Sequence, residues 1–341
     1  MNTTPSTETL SVLLAPEPPT APGRVEMRMT VSDAGLQRSQ LRLALLMILA
    51  PAIGVGVAIW LAVTTGLRVA EVAIFLLMYA STTIGVTVGF HRHFAHRAFR
   101  ARPVVRLGLG ILGSMAIQGP LVFWTATHRR HHSFSDREGD PHSPNLFGTG
   151  WRSWLEGEWH AHIRWLYAGE LTNSVRFAND LRRDKIAVWV NQTYALWAIV
   201  GLVLPTLLGA LWLGGWMGAL EGFLWGGMVR LFVVHHAFWS IGSIAHTFGT
   251  RPYATDDFSG NSFWLGLPNF GEGWHNNHHA FPGSAFFGLR WWQVDVGGYV
   301  IRALHRLGGI TDVKHPTLEQ MEGMKVTLAR RGNLTSRTSS D

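Results

Sequence analysis

The chain has 341 residues, of which 47% are hydrophobic and 15% are charged. Soluble proteins carry about 25% charged residues, so this composition excludes an ordinary soluble globule and indicates a membrane protein. The hydrophobic content also excludes an intrinsically disordered chain. The sequence contains no cysteine, which excludes disulfides, thiolate metal sites, iron–sulfur clusters and a cysteine nucleophile. The net charge of +7 is compatible with anionic lipid or an anionic substrate, and we expect no nucleic acid partner.

The hydropathy pattern predicts four membrane spans between two polar tails. Residues 1–36 are rich in Pro, Thr, Ser and Glu and are predicted to be a disordered tail, and residues 316–341 form a polar C-terminal tail. Gly66 and the pair Gly214-Gly215 mark short turns, so the spans should associate as two hairpins. The predicted spans, each long enough to cross a bilayer, are about 43–65, 70–90, 186–213 and 217–246.

The distribution of Arg and Lys predicts which ends of the spans face the cytosol. Segment 91–185 carries 14 of these residues, whereas the short external turns carry only Arg68. By the positive-inside rule, segment 91–185 and both termini lie in the cytosol, and in a bacterium the membrane would be the plasma (inner) membrane. The apolar segment 103–124 contains several glycines and Pro120, and we interpret it as an interfacial or re-entrant helix pair.

Three histidine clusters and one further histidine lie at the predicted cytosolic ends of the spans or in the predicted cytosolic segments. The pattern H-x-x-H-H occurs twice, and its positions i, i+3 and i+4 share one face of a helix. The pattern H-x-x-x-x-H occurs once, and on an ideal helix its two members diverge by about 140°, on either side of a site or at a frayed helix end. Nine imidazoles are too many for one tetrahedral zinc and suit two ions with four or five ligands each. The nine candidate ligands are His91, His96, His128, His131, His132, His246, His275, His278 and His279.

Imidazole binds iron, copper, zinc and nickel. In the absence of thiolates and of a bridging carboxylate motif, we interpret the site as two non-haem irons with open positions for oxygen. Carboxylates should orient the imidazoles, and Asp136, Asp140 and Glu272 are candidates close in sequence. We predict no catalytic residue beyond the metal ligands. The other histidines are interpreted as ordinary core or surface residues: His93, His142, His160, His162, His235, His236, His305 and His315.

Four segments resemble the membrane fatty-acyl desaturase family, in particular the Δ9 acyl-CoA desaturases of the stearoyl-CoA type, in a bacterial-like form. The resemblance covers about residues 40–315 and implies an all-α membrane protein. Its four transmembrane helices would form two hairpins beneath a cytosolic helical cap that holds a di-iron site, with the nine histidines as iron ligands. The matching segments are GFHRHFAHRAF (89–99), WTATHRRHHSFSDREGDPHSP (124–144), FWSIGSIAHTFG (238–249) and NFGEGWHNNHHAFP (269–282).

The resemblance further implies a kinked acyl tunnel that runs from the irons into the helix bundle. Four residues match positions that close or line this tunnel in the family: Tyr79, Thr83, Trp124 and Trp239. Four arginines near the histidine clusters are candidates for binding an anionic headgroup such as the phosphates of CoA: Arg92, Arg97, Arg129 and Arg130.

The sequence departs from the family pattern at two positions. The family usually has Asn four residues before the histidine that matches His246, where it holds a water on one iron, and this chain has Gly242. Either the water binds unaided, or Ser243 or another group substitutes, or the iron coordination differs. The family often has Asp just before the second histidine cluster, where this chain has Thr127.

The expected reaction is O2-dependent insertion of a cis double bond, at Δ9, into a saturated acyl chain carried by CoA or by a lipid. Two bound irons would activate O2, because no side-chain base can remove a proton from an unactivated methylene. Two of the four electrons would come from a separate donor such as a ferredoxin, a cytochrome b5-like protein or a flavin reductase. Two alternatives stay open: a fatty-acyl or alkyl hydroxylase on the same di-iron scaffold, and a metal-binding transporter.

Overall fold

The computed structural model describes residues 28–326 and is mostly helical. Most of the predicted N-terminal tail and residues 327–341 lie outside this range, and α1 begins at Ala34. The α-helices are α1 (Ala34–Thr65), α2 (Val69–Ile84), α3 (Pro103–Ser114), α4 (Leu121–Phe134), α5 (Trp151–His162), α6 (Ser174–Phe177), α7 (Lys185–Gln192), α8 (Tyr194–Gly209), α9 (Gly215–Gly222), α10 (Arg230–Gly242), α11 (Phe263–Gly266), α12 (His275–Ala280), α13 (Val296–Arg306) and α14 (Leu318–Met324).

Short strands and non-α helical turns complete the secondary structure. The strands are β1 (Thr30–Val31), β2 (Arg100–Ala101), β3 (Leu171–Thr172) and β4 (Ile310–Thr311), with β1 antiparallel to β3 and β2 antiparallel to β4. The π-helical segments are Gly85–Ala95, Ala210–Gly214 and Phe223–Val229, and the 3-10 turns are Arg164–Tyr167, Leu181–Arg183 and Ile244–His246.

Within residues 28–326, three helical stretches are long and apolar enough to cross a membrane: Ala34–Thr65, Val69–Ala95 and Tyr194–His246. The first begins at its cap Asp33, whose carboxylate accepts from the Leu36 N–H, and ends at Gly66, where φ is 87°. That backbone conformation favours glycine and lets the chain turn sharply into α2. These stretches support the expected membrane protein.

The third stretch folds back on itself within its 53 residues. Gly214 and Gly215 both have positive φ, 88° and 63°, and the two arms run antiparallel on either side of them. A Cβ added at Gly209 would overlap the backbone of Gly218, and one added at Gly222 would overlap the carbonyl oxygen of Pro205. The arms therefore pack backbone to backbone, which only glycine permits at these positions.

The segment expected to form one span over 186–213 is divided near Thr193 into α7 and α8. The side chain of Asp184 caps α7 by accepting from two backbone N–H groups. Buried residues of α7 pack with the π-helical segment after α2 and with α4 in one hydrophobic cluster. The apolar segment 103–124 forms α3 and the start of α4, and α3 lies directly against the π-helical segment, where a Cβ at Gly85 would overlap the backbone of Gly113.

Residue Arg230 is fully buried at the start of α10, in the third apolar stretch. No partner for its charge could be assigned from the sequence. The guanidinium donates to three backbone carbonyls, those of Gly226 (3.0 Å), Met115 (2.8 Å) and Gly201 (2.6 Å). The charge is thus solvated by peptide dipoles instead of an acidic residue, as buried ionised groups within membrane segments require.

Candidate metal centre

The first histidine pair is brought together by π-helical backbone at the end of α2. The segment Gly85–Ala95 is π-helical, and the His96 N–H donates to the carbonyl of His91 at 3.0 Å. In a π-helix the hydrogen bond joins residues five apart, so such residues stand nearly above one another. The imidazole centroids of His91 and His96 are 4.9 Å apart. The divergence expected for an ideal α-helix is therefore absent here, because local π-helical winding replaces the α-helix.

The nine candidate ligands form two groups in which all ligand atoms lie within 4.8 Å of one another. The five-histidine group consists of His91, His96, His128, His132 and His278. The four-histidine group consists of His131, His246, His275 and His279. Each H-x-x-H-H motif supplies its i and i+4 members to one group and its i+3 member to the other. One helix face thus serves two neighbouring sites.

The distances between ring nitrogens fit shared metal ligation. Four Nε2–Nε2 separations are 2.7–3.0 Å: His96 to His128, His132 to His278, His91 to His278, and His246 to His275. Histidine–metal bonds are about 2.0–2.1 Å long, so two nitrogens on one ion stand about 3 Å apart. Buried polar atoms normally have partners, yet Nε2 of His279 and Nδ1 of His275 have none among the described residues. The residues present fit two bound metal ions.

Carboxylates hold the outward ring nitrogens in both groups. The three carboxylates suggested by the sequence lie against ligands: Glu272 on Nδ1 of His91 (2.6 Å), Asp140 on Nδ1 of His131 (3.0 Å) and Asp136 on Nδ1 of His246 (2.8 Å). A fourth, Asp257, lies 2.7 Å from Nδ1 of His279. Such a bond fixes the ring orientation and leaves Nε2 to face the metal.

Sequence reasoning missed Asp257. It lies in a loop 22 residues before its partner, and no local spacing links the two residues. Its neighbour Asp256 is exposed, whereas Asp257 is half-buried. The only available signal was the pair of acidic residues shortly before the third histidine cluster.

Burial lowers the pKa of six of the nine candidate ligands and so keeps them neutral. Desolvation, reinforced by the charges of neighbouring histidines, holds the pKa values of His128, His132 and His278 well below the usual value. Burial also lowers the pKa of His279 to about 4, although Asp257 opposes this shift. A neutral imidazole has the lone pair that a metal requires, so the ligands are ready to bind at neutral pH.

The carboxylates beside the candidate ligands are kept in their charged form. Burial alone would raise the pKa of Asp140, but the charge and hydrogen bond of His131 lower it below the usual range. Burial likewise opposes ionisation of Asp257, and the charge and hydrogen bond of His279 lower its pKa overall. These groups are anionic at neutral pH and add negative charge next to the metal ligands.

A cleft adjoins both groups and contains some of the predicted tunnel residues. Trp124 and Trp239 line it, together with Thr127 and Gly242. Tyr79 and Thr83 are buried on α2 and are not among the lining residues. The Tyr79 hydroxyl donates to the carbonyl of Pro268. Of the four tunnel candidates, Trp124 thus stacks on the candidate ligand His128, with ring centroids 5.1 Å apart, and Trp239 lines the same cleft.

The four arginine candidates differ in exposure. Arg92 is fully buried and forms two hydrogen bonds to Asp295, at 2.8 and 3.1 Å. Arg130 is also buried and donates to the carbonyl of Gly139 and to Glu170. Arg129 is paired with Asp180 at 2.6 Å. Arg97 shares that carboxylate, but 64% of its side chain is exposed.

His142, interpreted from the sequence as an ordinary residue, lies beside the four-histidine group. Its ring stacks on His131 with centroids 4.4 Å apart, and it lines the same cleft. Burial, with the charge of His131, lowers the pKa of His142 to about 3. The sequence contained one indication that His142 lies near the metal-binding groups, which is its position two residues after the candidate carboxylate Asp140.

Comparison with known proteins gives the family. The fatty acid desaturase model matches residues 67–296. The chain is 44% identical to a hex-5-enoyl-acyl-carrier-protein acetylenase of Moorena producens, over 89% of this chain and 96% of that protein. It is 37% identical to the Delta-9 acyl-lipid desaturase 1 of Arabidopsis thaliana (73% of this chain, 77% of that protein) and to the sn-1 stearoyl-lipid 9-desaturase of Anabaena variabilis (72% and 84%). The predicted membership is confirmed: the chain is an oxidoreductase of the fatty acid desaturase family.

Proposed function

We propose that this protein is an O2-dependent fatty-acyl desaturase in which the five- and four-histidine groups each hold one iron. The observation that carries the proposal is the division of nine buried or half-buried histidines into two compact groups beside an aromatic cleft. When bound there, two irons would supply the oxygen activation and hydrogen abstraction that side chains cannot perform. The family match does not favour the hydroxylase alternative, and an oxidoreductase leaves the transporter hypothesis without support.

The chain's own residues position the reaction. The carboxylates Glu272, Asp136, Asp140 and Asp257 hold the outward nitrogens of four ligands and so fix the directions of their Nε2 atoms. The side chains of Trp124 and Trp239 form apolar walls of the cleft that adjoins both groups. An acyl chain between such walls would present one stretch of methylenes to the metals, which is catalysis by positioning. No described side chain needs to act as a base.

The proposed substrate is a saturated acyl chain linked to a lipid or to CoA, with the double bond introduced at Δ9. Two relatives named for lipid 9-desaturation support this substrate class. A second candidate is formation of a triple bond in an acyl group on acyl-carrier protein, because the acetylenase relative is matched over almost its whole length. Arg97 is the candidate best placed for an anionic carrier, since its side chain is exposed.

The proposed topology has four spans, because the stretch Tyr194–His246 reverses at Gly214-Gly215. Both termini and the histidine groups would face the cytosol, which in a bacterium places the protein in the plasma membrane. Electrons would arrive from a separate ferredoxin, cytochrome b5-like protein or flavin reductase. A reporter fused after residue 326 and another inserted at Gly214 should report opposite sides of the membrane.

The deciding experiment is expression in a desaturase-deficient host with analysis of total fatty acids by gas chromatography and mass spectrometry. A new cis-Δ9 monoene is expected with the wild type and is expected to be absent with His278→Ala. Feeding hex-5-enoate tests the second candidate, which predicts an alkyne on acyl-carrier protein. An alcohol without alkene or alkyne, in membranes that contain iron-loaded protein and a working donor, would contradict the proposal.

A further inference from the structure

The four-histidine group has one candidate ligand fewer than the five-histidine group. The side chain of His142 lies beside this smaller group. Its ring stacks on His131, with centroids 4.4 Å apart and planes inclined by 25°. Its backbone N–H donates to Asp140 at 3.0 Å, and the same carboxylate accepts from Nδ1 of His131. One carboxylate therefore fixes both a candidate ligand and the backbone of residue 142.

The inner nitrogen of His142 has no partner in the described part of the chain. Its Nδ1 atom is buried and unbonded, and the residue lines the cleft together with His131 and His275. Buried polar atoms are normally satisfied by protein or by ordered water. An unpaired ring nitrogen at the edge of a metal-binding group thus indicates a ligand or water beside it.

Gly242 provides the space that this ring occupies. A Cβ added at residue 242 would lie 3.1 Å from Nδ1 of His142 and 3.6 Å from its Cε1. Gly242 ends α10 and is absent from the positive-φ residues, so its backbone does not require glycine. Any side chain there would crowd the ring of His142. Ser243, the other candidate substitute, is already bonded to the carbonyl of Trp239 and to His162.

We propose that Nδ1 of His142 holds a water at the open position of the four-histidine group, with Gly242 supplying the room. A water is favoured over a direct bond because His142 groups within 4.8 Å with His131 and Asp140 but not with the whole set of four. His142 is thus a positioning residue for one metal ion. This inference rests on the proposed di-iron function.

The test uses the full-length protein in lipid nanodiscs, loaded with 57Fe. His142→Phe preserves a flat ring for stacking and removes both nitrogens. The matched control is His305→Phe, an exposed histidine on α13 whose Nδ1 lies 3.1 Å from the carbonyl of Ile310. Chelator competition measures the affinity of each iron, and Mössbauer spectroscopy reports the two iron environments separately.

We expect His142→Phe to weaken one iron about 10–100-fold, as loss of an outer partner typically does, and to alter one of the two Mössbauer components. The control should match the wild type. A folded His142→Phe with unchanged affinities and an unchanged spectrum would overturn the inference. Should that variant fail to fold, Gly242→Ala decides, since its Cβ would lie 3.1 Å from Nδ1 of His142 and would take up the space beside that nitrogen. One altered component supports the inference, and an unaltered spectrum overturns it.

The same data separate this inference from the proposed function. If the wild type binds two irons and desaturates while both variants behave as wild type, only the inference about His142 fails. If the wild type binds no iron under these conditions, the di-iron proposal fails and the inference fails with it.

Discussion

The five-histidine and four-histidine groups share the same two helical motifs but differ in their electrostatic surroundings. In the five-histidine group, the carboxylate of Glu272 is bonded to His91. In the four-histidine group, the carboxylates of Asp140, Asp136 and Asp257 are bonded to three of its members. One group thus has more imidazoles, and the other has more nearby negative charge.

This difference indicates that additional carboxylates near the four-histidine group can compensate for its smaller number of imidazoles. A cation in a buried site is stabilised by anions close to it, because the local dielectric is low. We therefore expect the four-histidine group to hold its ion at least as tightly as the five-histidine group does. An ion held by the four-histidine group would have one imidazole fewer than an ion held by the five-histidine group.

Removing one ligand from each group should have the largest effect. His132→Ala and His279→Ala should each reduce desaturation more than about 100-fold, since losing a ligand costs more than losing an outer partner. Each variant should also lose one iron and retain the other. Activity is measured by gas chromatography and iron by elemental analysis, with His305→Ala as control. Loss of both irons from either variant would show that the groups form one cooperative site.

Neutralising the carboxylates should have the next largest effect. Asp257→Asn and Glu272→Gln keep the side-chain shape but remove the charge, and each should weaken iron about 10–100-fold in its own group. The exposed neighbour offers a matched control, and Asp256→Asn should leave both irons unchanged. Chelator competition measures the affinity of each iron, and the separate Mössbauer components show which group has changed. If Glu272→Gln weakened iron binding in the four-histidine group, the assignment of one set of carboxylates to each group would be wrong.

Acidification should destabilise the metal-free protein. The pKa of His279 is lowered to about 4 in the folded chain, whereas an unfolded histidine has a pKa of about 6.5. Between these values the unfolded state binds the extra proton, so stability is full above pH 6.5 and falls as the pH decreases, by up to about 1.4 kcal/mol per pH unit for each such histidine.

The melting temperature of the metal-free protein, measured from pH 8 to pH 4, checks this expectation. His279→Asn should show a shallower decline below pH 6.5 than the wild type. Iron-loaded protein should resist acid until the metal leaves, because ligation and protonation compete for the same nitrogen. A flat profile for metal-free wild-type protein would contradict the assigned burial of these histidines.

The smallest effect is expected from residues behind the carboxylates. The Thr87 hydroxyl donates to Glu272, and the Ser143 hydroxyl donates to Asp136 at 2.7 Å. Thr87→Val removes one hydrogen bond, worth about 1 kcal/mol, and Ser143→Ala removes its bond to Asp136 together with the one its hydroxyl accepts from the Asn145 N–H. Each variant should weaken the iron of its own group several-fold. Thr82→Val is the control, since its hydroxyl bonds only to backbone carbonyls of its own helix. If either variant weakened both irons equally, the two histidine groups would not be independent metal sites.

Six of the nine histidines could be found from local spacing, because the two H-x-x-H-H motifs follow helix periodicity. His91, His96 and His246 were added by their place near the ends of the predicted spans and by the family resemblance. The division of all nine into two groups could not be predicted, because the member at i+3 of each motif is assigned by the position of another helix. The π-helical winding at His91 was hidden for a related reason. Helix type depends on which carbonyl each N–H reaches, and packing against α3 influences that choice.

The partners that sequence reasoning missed come from loops or from backbone. Asp257 lies on a loop with no periodic relation to His279. His142 was set aside as an isolated histidine, since its place beside Gly242 exists only after α10 packs against the segment after α4. The carbonyls that hold Arg230 carry no side-chain signal at all.

The burial of Arg230 has a consequence for biosynthesis. Its guanidinium is satisfied by carbonyls that lie 115 and 29 residues earlier in the chain, at Met115 and Gly201. Until those segments are in place, the only one of its three carbonyl partners that the arm beginning at Gly215 supplies is Gly226, and this arm would enter lipid at a high cost. Insertion of this arm is therefore coupled to prior assembly of α3 and α8. In ribosome-arrested chains that lack α3, the arm that begins at Gly215 should insert into the bilayer poorly.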